Sequence, residues 1–306
     1  AVPKRMVRVE KAWQASEPPP APVVGSASRN IAHRALAEFP GLSAAIAGGG
    51  RVAVDAPPRL ARVVDGDAPR DVGSWAVLFA AAAAETLAGG RSAVLVVPDY
   101  RDQDQLEAAL AALGLIDAVV RNDARQSGPE RYAGYLRVLS PVPCIVVGNR
   151  SAVYAPVHAP GLIALWDDGD PLLAEPLSPG VHARDAALVR QELDGCALVI
   201  AGHTRTTDVE RLVGVGWMHD LPAARRTSPR VVLSATREGE SRGSRVPSAA
   251  FAAARLALES GPVLVQVARP GFAPSLVCAD CRRPARCRHC GGPLRARRQG
   301  AVPECG

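Results

Sequence analysis

The 306-residue sequence predicts an α/β fold with a parallel sheet, on three observations. From about residue 61, short apolar runs alternate with longer segments of helical periodicity, as in a parallel sheet with crossover helices. The unit of strand, crossover and strand recurs about five times. Most of the apolar runs end at Pro, Gly or Asp, which indicates loops at one edge of the sheet. The pattern is that of a RecA-like or Rossmann-like fold, in which ligands sit at the carboxyl ends of the strands.

The first 60 residues are weakly specified. Residues 13–30 are rich in Pro and Ser, so residues 1–30 are expected to be a linker or the edge of a domain that begins upstream. Residues 31–60 hold one short helical pattern, a turn at three glycines and a strand-like run at 51–54. We expect them to form a connecting segment.

The α/β lobe is expected at residues 61–227, and its elements follow in order. Strands are expected at residues 62–64, 92–97, 144–147, 162–166 and 196–201. Helices are expected at residues 74–87, 103–113, 130–139 and 182–193. A second unit is expected at residues 228–270, with a strand at 231–233, a helix at 247–258 and a strand at 263–267. No repeat of fixed period is visible in the sequence.

Composition excludes several classes of protein. Hydrophobic residues make up 48% and charged residues 22% of the chain, close to the averages of folded proteins, so wholesale disorder is excluded. The longest apolar run, residues 75–84, is half of the ~20 residues that a membrane helix needs. The first ten residues lack an apolar signal core, so we expect a cytoplasmic protein.

The positive charge is concentrated in one part of the chain. Residues 269–306 carry eight Arg against two acidic residues, whereas the 268 residues before them carry 28 basic and 28 acidic side chains. A compact cationic module usually binds a polyanion, most often nucleic acid. Seven arginines are the expected phosphate contacts: Arg282, Arg283, Arg286, Arg288, Arg295, Arg297 and Arg298. Seven contacts predict a log–log salt slope of about −6 on duplex DNA.

The near absence of lysine limits the chemistry. Only Lys4 and Lys11 occur, against 34 Arg. A phosphate-binding loop of the form G-x-x-x-x-G-K-[ST] needs a lysine that reaches the β- and γ-phosphates of a nucleotide. No residue after position 11 supplies that group, so the sequence predicts that ATP and Mg²⁺ do not bind.

Five of the seven cysteines lie within the last 29 residues. They are Cys278, Cys281, Cys287, Cys290 and Cys305. Paired C-x-x-C turns present thiolates to a tetrahedral Zn²⁺, and this spacing favours zinc over disulfides. An all-thiolate shell leaves no position for water, so a structural rather than a catalytic zinc is expected. Cys144 and Cys196 lie in apolar runs and are expected to be buried and inert.

Two arrangements of the zinc site remain open. In the first, Cys287 and Cys290 pair with Cys305 and with a further ligand at position 308, because the interval between them suits a zinc ribbon. Cys278 and Cys281 would then form a second site with a later C-x-x-C turn, giving two zinc ions in a longer chain. In the second, Cys278, Cys281, Cys287 and Cys290 form one four-thiolate site. His289 is expected to fill its turn rather than to bind metal.

Four segments together resemble primosomal protein N′, the PriA family of replication restart proteins. These segments are residues 147–156 (VGNRSAVYAP), 161–163 (GLI), 182–185 (HARD) and 269–278 (RPGFAPSLVC). The resemblance spans about residues 60–306. It implies a RecA-like helicase lobe, the start of a second lobe and a zinc-binding insertion at residues 271–306. It also implies that residues 1–30 are the remnant of an N-terminal DNA-binding region and that the chain is truncated at both ends.

The motor motifs of that family are degenerate in this sequence. Where the family has its phosphate-binding loop, this sequence has the stretch from Gly66 to Ala76, which includes Gly73 and has Trp75 at the position of the lysine. The family's D-E-x-H motif, which holds Mg²⁺ and activates water, is matched by Asp167 and Asp168, and the shorter carboxylate would misplace the base. The resemblance is therefore to members from high-GC actinobacteria that lack a motor, and Asp167 and Asp168 are expected to be catalytically inert remnants.

The resemblance implies a DNA-binding replication-restart protein without helicase activity. Such a protein recognises stalled or branched forks, acts at the nucleoid, and has single-strand-binding protein and the components that load the replicative helicase as partners. An active ATP-dependent 3′-to-5′ helicase is the alternative, which the fold permits and the motifs oppose. A dinucleotide-dependent enzyme is a third hypothesis. No G-x-G-x-x-G follows the first strand, which opposes it.

Overall fold

The computed structural model describes residues 21–65, 68–224, 230–232, 246–266, 275–298 and 300–305. The chain divides into two compact units, residues 1–228 and residues 229–306. The first unit holds the parallel sheet. The described residues of the second unit hold one short helix and the cysteine segment.

The first unit confirms the predicted α/β fold class. Its strands, in chain order, are β1 (Arg51–Asp55), β2 (Leu60–Asp65), β3 (Ala68–Gly73), β4 (Ser92–Val96), β5 (Val119–Asn122), β6 (Ile145–Gly148), β7 (Pro160–Trp166), β8 (Ala197–Gly202) and β9 (His219–Pro222). Seven of them form a parallel sheet in the order β5-β6-β4-β7-β8-β1-β9. Strands β2 and β3 pair antiparallel as a separate hairpin.

Helices connect the strands. They are α1 (Ser26–Leu36), α2 (Leu42–Ala47), α3 (Ser74–Ala88), α4 (Tyr100–Ala112), α5 (Gly128–Leu139), α6 (Ala183–Asp194), α7 (Thr207–Gly214) and, in the second unit, α8 (Ser248–Ala257). Local sequence sets several helix starts. Asp99 and Asp102 form a capping box at α4, and Ser127 and Glu130 form another at α5. Two clusters of buried side chains make up the core of this unit.

Helix α3 is buried because it is apolar on every side. Its five consecutive alanines, from Ala80 to Ala84, are at most 2% exposed, and Phe79 is fully buried. A helix that is hydrophobic all round belongs in a core rather than on a surface. Small side chains also let the helix approach its neighbours closely. The first turn of α3, which carries Trp75, is thereby held at the edge of the sheet.

The sheet begins earlier in the chain than the sequence predicted. Strand β1 lies within the expected connecting segment at 31–60, yet it pairs with both β8 and β9. Its Val52, Ala53 and Val54 are buried. Helix α1 likewise begins at Ser26, inside the expected linker. Both segments are short, so their hydrophobic periodicity is too weak to identify them as elements of the lobe. They are buried only by residues that are distant in the sequence.

The stretch before α3 differs from the expected phosphate-binding loop. Residues 60–65 and 68–73 form the β2–β3 hairpin, so the strand expected at 62–64 is not part of the parallel sheet. An ion pair between Arg62 and Asp71, at 3.0 Å, joins the two strands. Gly66 and Asp67 lie outside the described residues. Alternating polar residues in this stretch suit a hairpin with one exposed face.

The second unit contains a nine-residue repeat that the sequence analysis did not detect. In the first turn the amide of Cys278 donates to Arg283 O, and in the second the amide of Cys287 donates to Gly292 O. Arg282 and Gly291, which occupy the same place in each turn, both have positive φ, 60° and 69°. Only two copies occur and few side chains match, so the repeat became visible through backbone geometry.

Two further features complete the second unit. Short strands β10 (Leu294–Arg295) and β11 (Glu304–Cys305) pair antiparallel and bring Cys305 beside the second turn. Residues 263–266 and 231–232, where strands were expected, have irregular backbone. A strand needs a hydrogen-bonding neighbour, and these residues have none among those that the structure describes. Within the described ranges, no helix is both long and apolar enough to cross a membrane.

Candidate functional site

The carboxyl ends of β7 and β8 form the edge at which a parallel sheet usually binds its ligand. Here the edge is occupied by aromatic side chains. Trp75, from the first turn of α3, stacks on Trp166, the last residue of β7, with ring centroids 4.4 Å apart and planes within 9°. Phe79 and His203 contact Trp166 edge-on, at 6.2 and 4.9 Å. Trp75 and Trp166 are 4% and 5% exposed, so the stack is part of the core.

The backbone before α3 fits this stack and leaves little room for phosphate. A Cβ atom on Gly73 would lie 2.4 Å from Trp75 Nε1, so the indole needs a glycine at this position. The Gly73 amide donates to Gln105 Oε1 at 2.8 Å, and the Ser74 amide donates to Arg59 O at 2.8 Å. A phosphate-binding loop needs such amides free to point at its ligand. Gly73 and Trp75 therefore belong to a packed hairpin and helix.

Asp168 is buried and neutralised within the protein. It is 4% exposed, its Oδ2 accepts a hydrogen bond from Arg184 Nη1 at 3.1 Å, and it accepts another from Thr206 Oγ1 at 2.7 Å. Arg184 also pairs with Asp185 and Asp208. This contact gives the arginine of the HARD segment (residues 182–185) a structural role, because Arg184 connects α6 to the end of β7.

Acidic side chains gather beside the aromatic stack. Asp167 has φ of 50°, and burial, followed by the nearby Asp170 and Asp168, raises the pKa of its carboxyl group. Burial, followed by the charge of Asp99, raises the pKa of Asp102 to about 6, and Asp170 and Asp167 contribute as well. Apart from Asp168, which is paired with Arg184, four carboxyl groups thus gather where the resemblance places the triphosphate: Asp99, Asp102, Asp167 and Asp170.

The cysteine segment brings three thiolates together. Sulfur atoms of Cys287, Cys290 and Cys305 all lie within 4.8 Å of one another. Backbone N–H groups of Cys290 and His289 donate to Cys287 Sγ and lower the pKa of that thiol to about 7. Three thiols at this separation are a possible metal site. Within the described residues, Cys278 and Cys281 are not members of this group.

The same geometry recurs in the first turn. Backbone N–H groups of Cys281 and Asp280 lower the pKa of the Cys278 thiol. Cys278 and Cys281 thus form a second, similar pair. The three-thiolate group has the composition that the first zinc arrangement requires, with one coordination position left for a further ligand. The backbone amide of His289 donates to Cys287 Sγ within the turn.

The seven candidate arginines differ in their contacts. Arg286 Nη1 donates to Gly291 O at 3.0 Å, and Arg297 Nε donates to Glu304 Oε2 at 2.9 Å. Their guanidinium groups brace the fold of the segment. The remaining five have no side-chain partner among the residues that the structure describes: Arg282, Arg283, Arg288, Arg295 and Arg298. The cationic surface is therefore mainly theirs.

Sequence reasoning missed the partners of Trp75. It placed Trp75 at the lysine position, but periodicity did not show that Trp166, 91 residues later, stacks on it. The available signal was the position of both indoles at predicted element ends on one edge of the sheet. Phe79 lies within an apolar helix and His203 directly follows β8, so the local sequence marked neither as a partner of Trp166.

Asp102 gives this edge a pH-dependent stability. The pKa of Asp is about 3.9 in an unfolded chain and about 6 here, so the stability that Asp102 contributes is full below pH 4 and is lost as the pH rises through 6. Asp102→Asn should raise the free energy of unfolding at pH 7 by about 1 kcal/mol, discounted for partial exposure. Denaturant titrations at pH 4 to 7 measure this, with the exposed Asp117→Asn as control. Equal pH slopes in Asp102→Asn and the unsubstituted chain would contradict it.

Comparisons with known proteins give the chain its relatives. It is 41% identical over 305 residues to the probable replication restart protein PriA of Mycobacterium bovis, which covers 96% of this chain and 44% of that protein. It is 45% identical over 231 residues to the protein of the same name from Mycobacterium leprae, covering 72% and 36%. The replication restart protein PriA of Treponema pallidum is 26% identical over 234 residues, covering 74% and 35%. No protein-family model matches the chain. The chain spans less than half the length of these relatives.

Proposed function

The chain belongs to the PriA family of replication restart proteins, and on this premise we propose that it binds DNA at branched forks without acting as a motor. The observation that carries this proposal is the stack of Trp75 on Trp166 at the edge where the family's nucleotide site is expected. In this proposal the sheet unit serves as a scaffold. The cysteine segment supplies the DNA contact.

Three physical effects oppose a nucleotide at that edge. Two indoles fill the space with core packing, so a ligand would have to displace them. The amides of Gly73 and Ser74 are already bonded within the chain. Asp102 and Asp167 would repel a triphosphate, and the described residues supply no lysine to attract it.

DNA contact is proposed for the five arginines without an internal partner. Arg282, Arg283 and Arg288 lie on the two similar turns, whereas Arg295 ends β10 and Arg298 follows that strand. Each would neutralise one phosphate. Arg282 supports this assignment, because a residue other than glycine with φ of 60° carries a conformational cost that Gly291 avoids in the second turn. We propose that the Arg282 side chain is retained for its contact with phosphate.

Zinc is proposed as the group that holds the cysteine segment. Thiolates at the observed separation suit Zn²⁺, whose binding would contribute folding energy and no catalysis. In the proposal Cys287, Cys290 and Cys305 hold one ion, and Cys278 and Cys281 take part in a second. The remaining proposals follow the family: action at the nucleoid in the cytoplasm, with single-strand-binding protein and helicase-loading components as partners.

The motor proposal is tested by ATP turnover. We expect no ATP hydrolysis above background with forked DNA and no nucleotide-induced change in tryptophan fluorescence, because Trp75 and Trp166 are stacked in the core. Measurement of phosphate release with and without DNA checks the first point. DNA-stimulated turnover of about 1 s⁻¹ or faster would support an active helicase instead.

The arginine proposal is tested by the salt dependence of fork binding. Five contacts predict a log–log slope of about −4.5, and Arg283→Gln should make it less steep by about 1. The matched control is Arg297→Gln, which removes a guanidinium bonded to Glu304 and should leave the slope unchanged. Anisotropy titrations over a range of salt concentrations measure both. A slope near −1 for the unsubstituted chain would contradict the proposal.

The two zinc arrangements make opposite predictions for single cysteines. If Cys287, Cys290 and Cys305 share an ion, Cys305→Ser should weaken metal binding at that site by roughly tenfold or more, while Cys278→Ser should leave it intact. Cobalt titration followed by thiolate charge-transfer absorption measures each variant. Loss in Cys278→Ser with no loss in Cys305→Ser would assign the ion to the single four-cysteine site.

A further inference from the structure

The carboxyl end of edge strand β5 opens into a cavity of about 320 Å³ beneath α5. It differs from the other described cavities in charge. Two arginines and no carboxylate line it, whereas the 440 Å³ cavity at the ends of β1, β8 and β9 holds three carboxylates and one arginine. The 590 Å³ groove beside α6 is mainly apolar and holds the paired Arg190 and Asp194. Of these three, only the first has the charge to attract an anion.

The cavity walls come from β5 and one face of α5. Tyr132 and Tyr135 are three residues apart on α5, so both lie on the same side of the helix. A Cβ on Gly134 would lie 3.4 Å from Val120 Cγ1, which shows how closely the helix approaches the strand there. Two phenol rings thus border a small space whose volume is at the lower end of the ~300–1,000 Å³ of ligand pockets.

Some polar side chains of the cavity are bonded to other described residues, and others have no such partner. Arg121 is paired with the buried Glu107, so its charge is compensated. Arg131, one residue before Tyr132, has no partner in the described part of the chain, and its charge is available to a ligand. Gln126 Oε1 accepts from the Asp123 amide at 3.3 Å, and Asn122 Oδ1 accepts from Ser151 Oγ at 3.4 Å. Their side-chain NH₂ groups have no partner among the described residues.

We propose that this cavity binds one unpaired nucleotide of a DNA strand, with its base against Tyr132 and Tyr135 and its phosphate at Arg131. Aromatic rings stack bases of any sequence, and carboxamides can bond to base edges. The cavity holds one such unit and is too small for a folded peptide. The inference rests on the proposed DNA binding, but it concerns a different unit of the chain from the cysteine segment.

The test compares a single-stranded oligonucleotide with the same strand in which bases are removed and the phosphates kept. Tyr132→Ala and Tyr135→Ala should each weaken binding of the intact strand about tenfold and leave binding of the abasic strand unchanged. Tyr154→Ala is the matched control, an exposed tyrosine on the neighbouring turn that does not line this cavity. Arg131→Gln should weaken both strands, with the exposed Arg211→Gln as its control.

Two outcomes would overturn the inference. One is equal affinity loss in the tyrosine variants and in Tyr154→Ala. The other is a free nucleoside monophosphate that binds as tightly as the strand, which would assign the cavity to a small ligand. Photocrosslinking of the unsubstituted chain to a strand that contains halogenated uracil tests the same contact without variants that could misfold. Attachment is expected at Tyr132 or Tyr135. Attachment only at other residues would also overturn the inference.

The inference and the proposed function fail separately. If the tyrosine variants bind the intact strand normally while fork binding keeps its salt slope, only the inference about the cavity is wrong. If the salt slope is near −1 while the tyrosine variants still weaken binding, the proposed DNA contact of the cysteine segment is wrong and the inference about the cavity stands.

Discussion

The stack of Trp75 on Trp166 is the interaction on which the first unit depends at its ligand-binding edge. Parallel strands bring their carboxyl ends together, and the resulting crevice must be filled by a ligand, water or side chains. Here α3 supplies one indole and β7 the other, with Phe79 and His203 completing the cluster. Gly73 is required so that the chain can pass beside Trp75. Packing of this kind gives the lobe a stable shape that needs no nucleotide.

Charge at the same edge is arranged in two ways. Asp168 is buried with Arg184 and Thr206, which joins β7 to α6 and α7 through compensated contacts. Burial, followed by the charge of neighbouring carboxylates, raises the pKa of both Asp102 and Asp167. The edge therefore combines a structural ion pair with uncompensated negative charge. It is unsuited to a polyanion, whereas the cavity beneath α5 is lined by arginines without carboxylates.

The second unit is stabilised by different means. Helix α8 buries no residue among those described, and the cysteine turns are mostly exposed, so hydrophobic burial contributes little. Backbone hydrogen bonds repeat every nine residues and place pairs of thiolates on successive turns. Small folds of this type usually need a metal ion to offset the conformational entropy of the chain. The arginines of the turns then project from a scaffold that thiolates hold together.

The sequence determined the elements whose signals are local. Alternating apolar runs gave the α/β class, and C-x-x-C spacing gave the paired thiolates. Helices α4 and α5 were expected from residues 103 and 130, but they begin at Tyr100 and Gly128, directly after the capping residues Asp99 and Ser127. Tertiary structure decided which distant residues meet. Strand β1 is short and gains its place only by pairing with β8 and β9, and Trp75 finds Trp166 only when α3 lies against β7. Cys305 joins Cys287 and Cys290 through the pairing of β10 with β11. Such contacts follow from the path of the whole chain, which no window of local sequence contains.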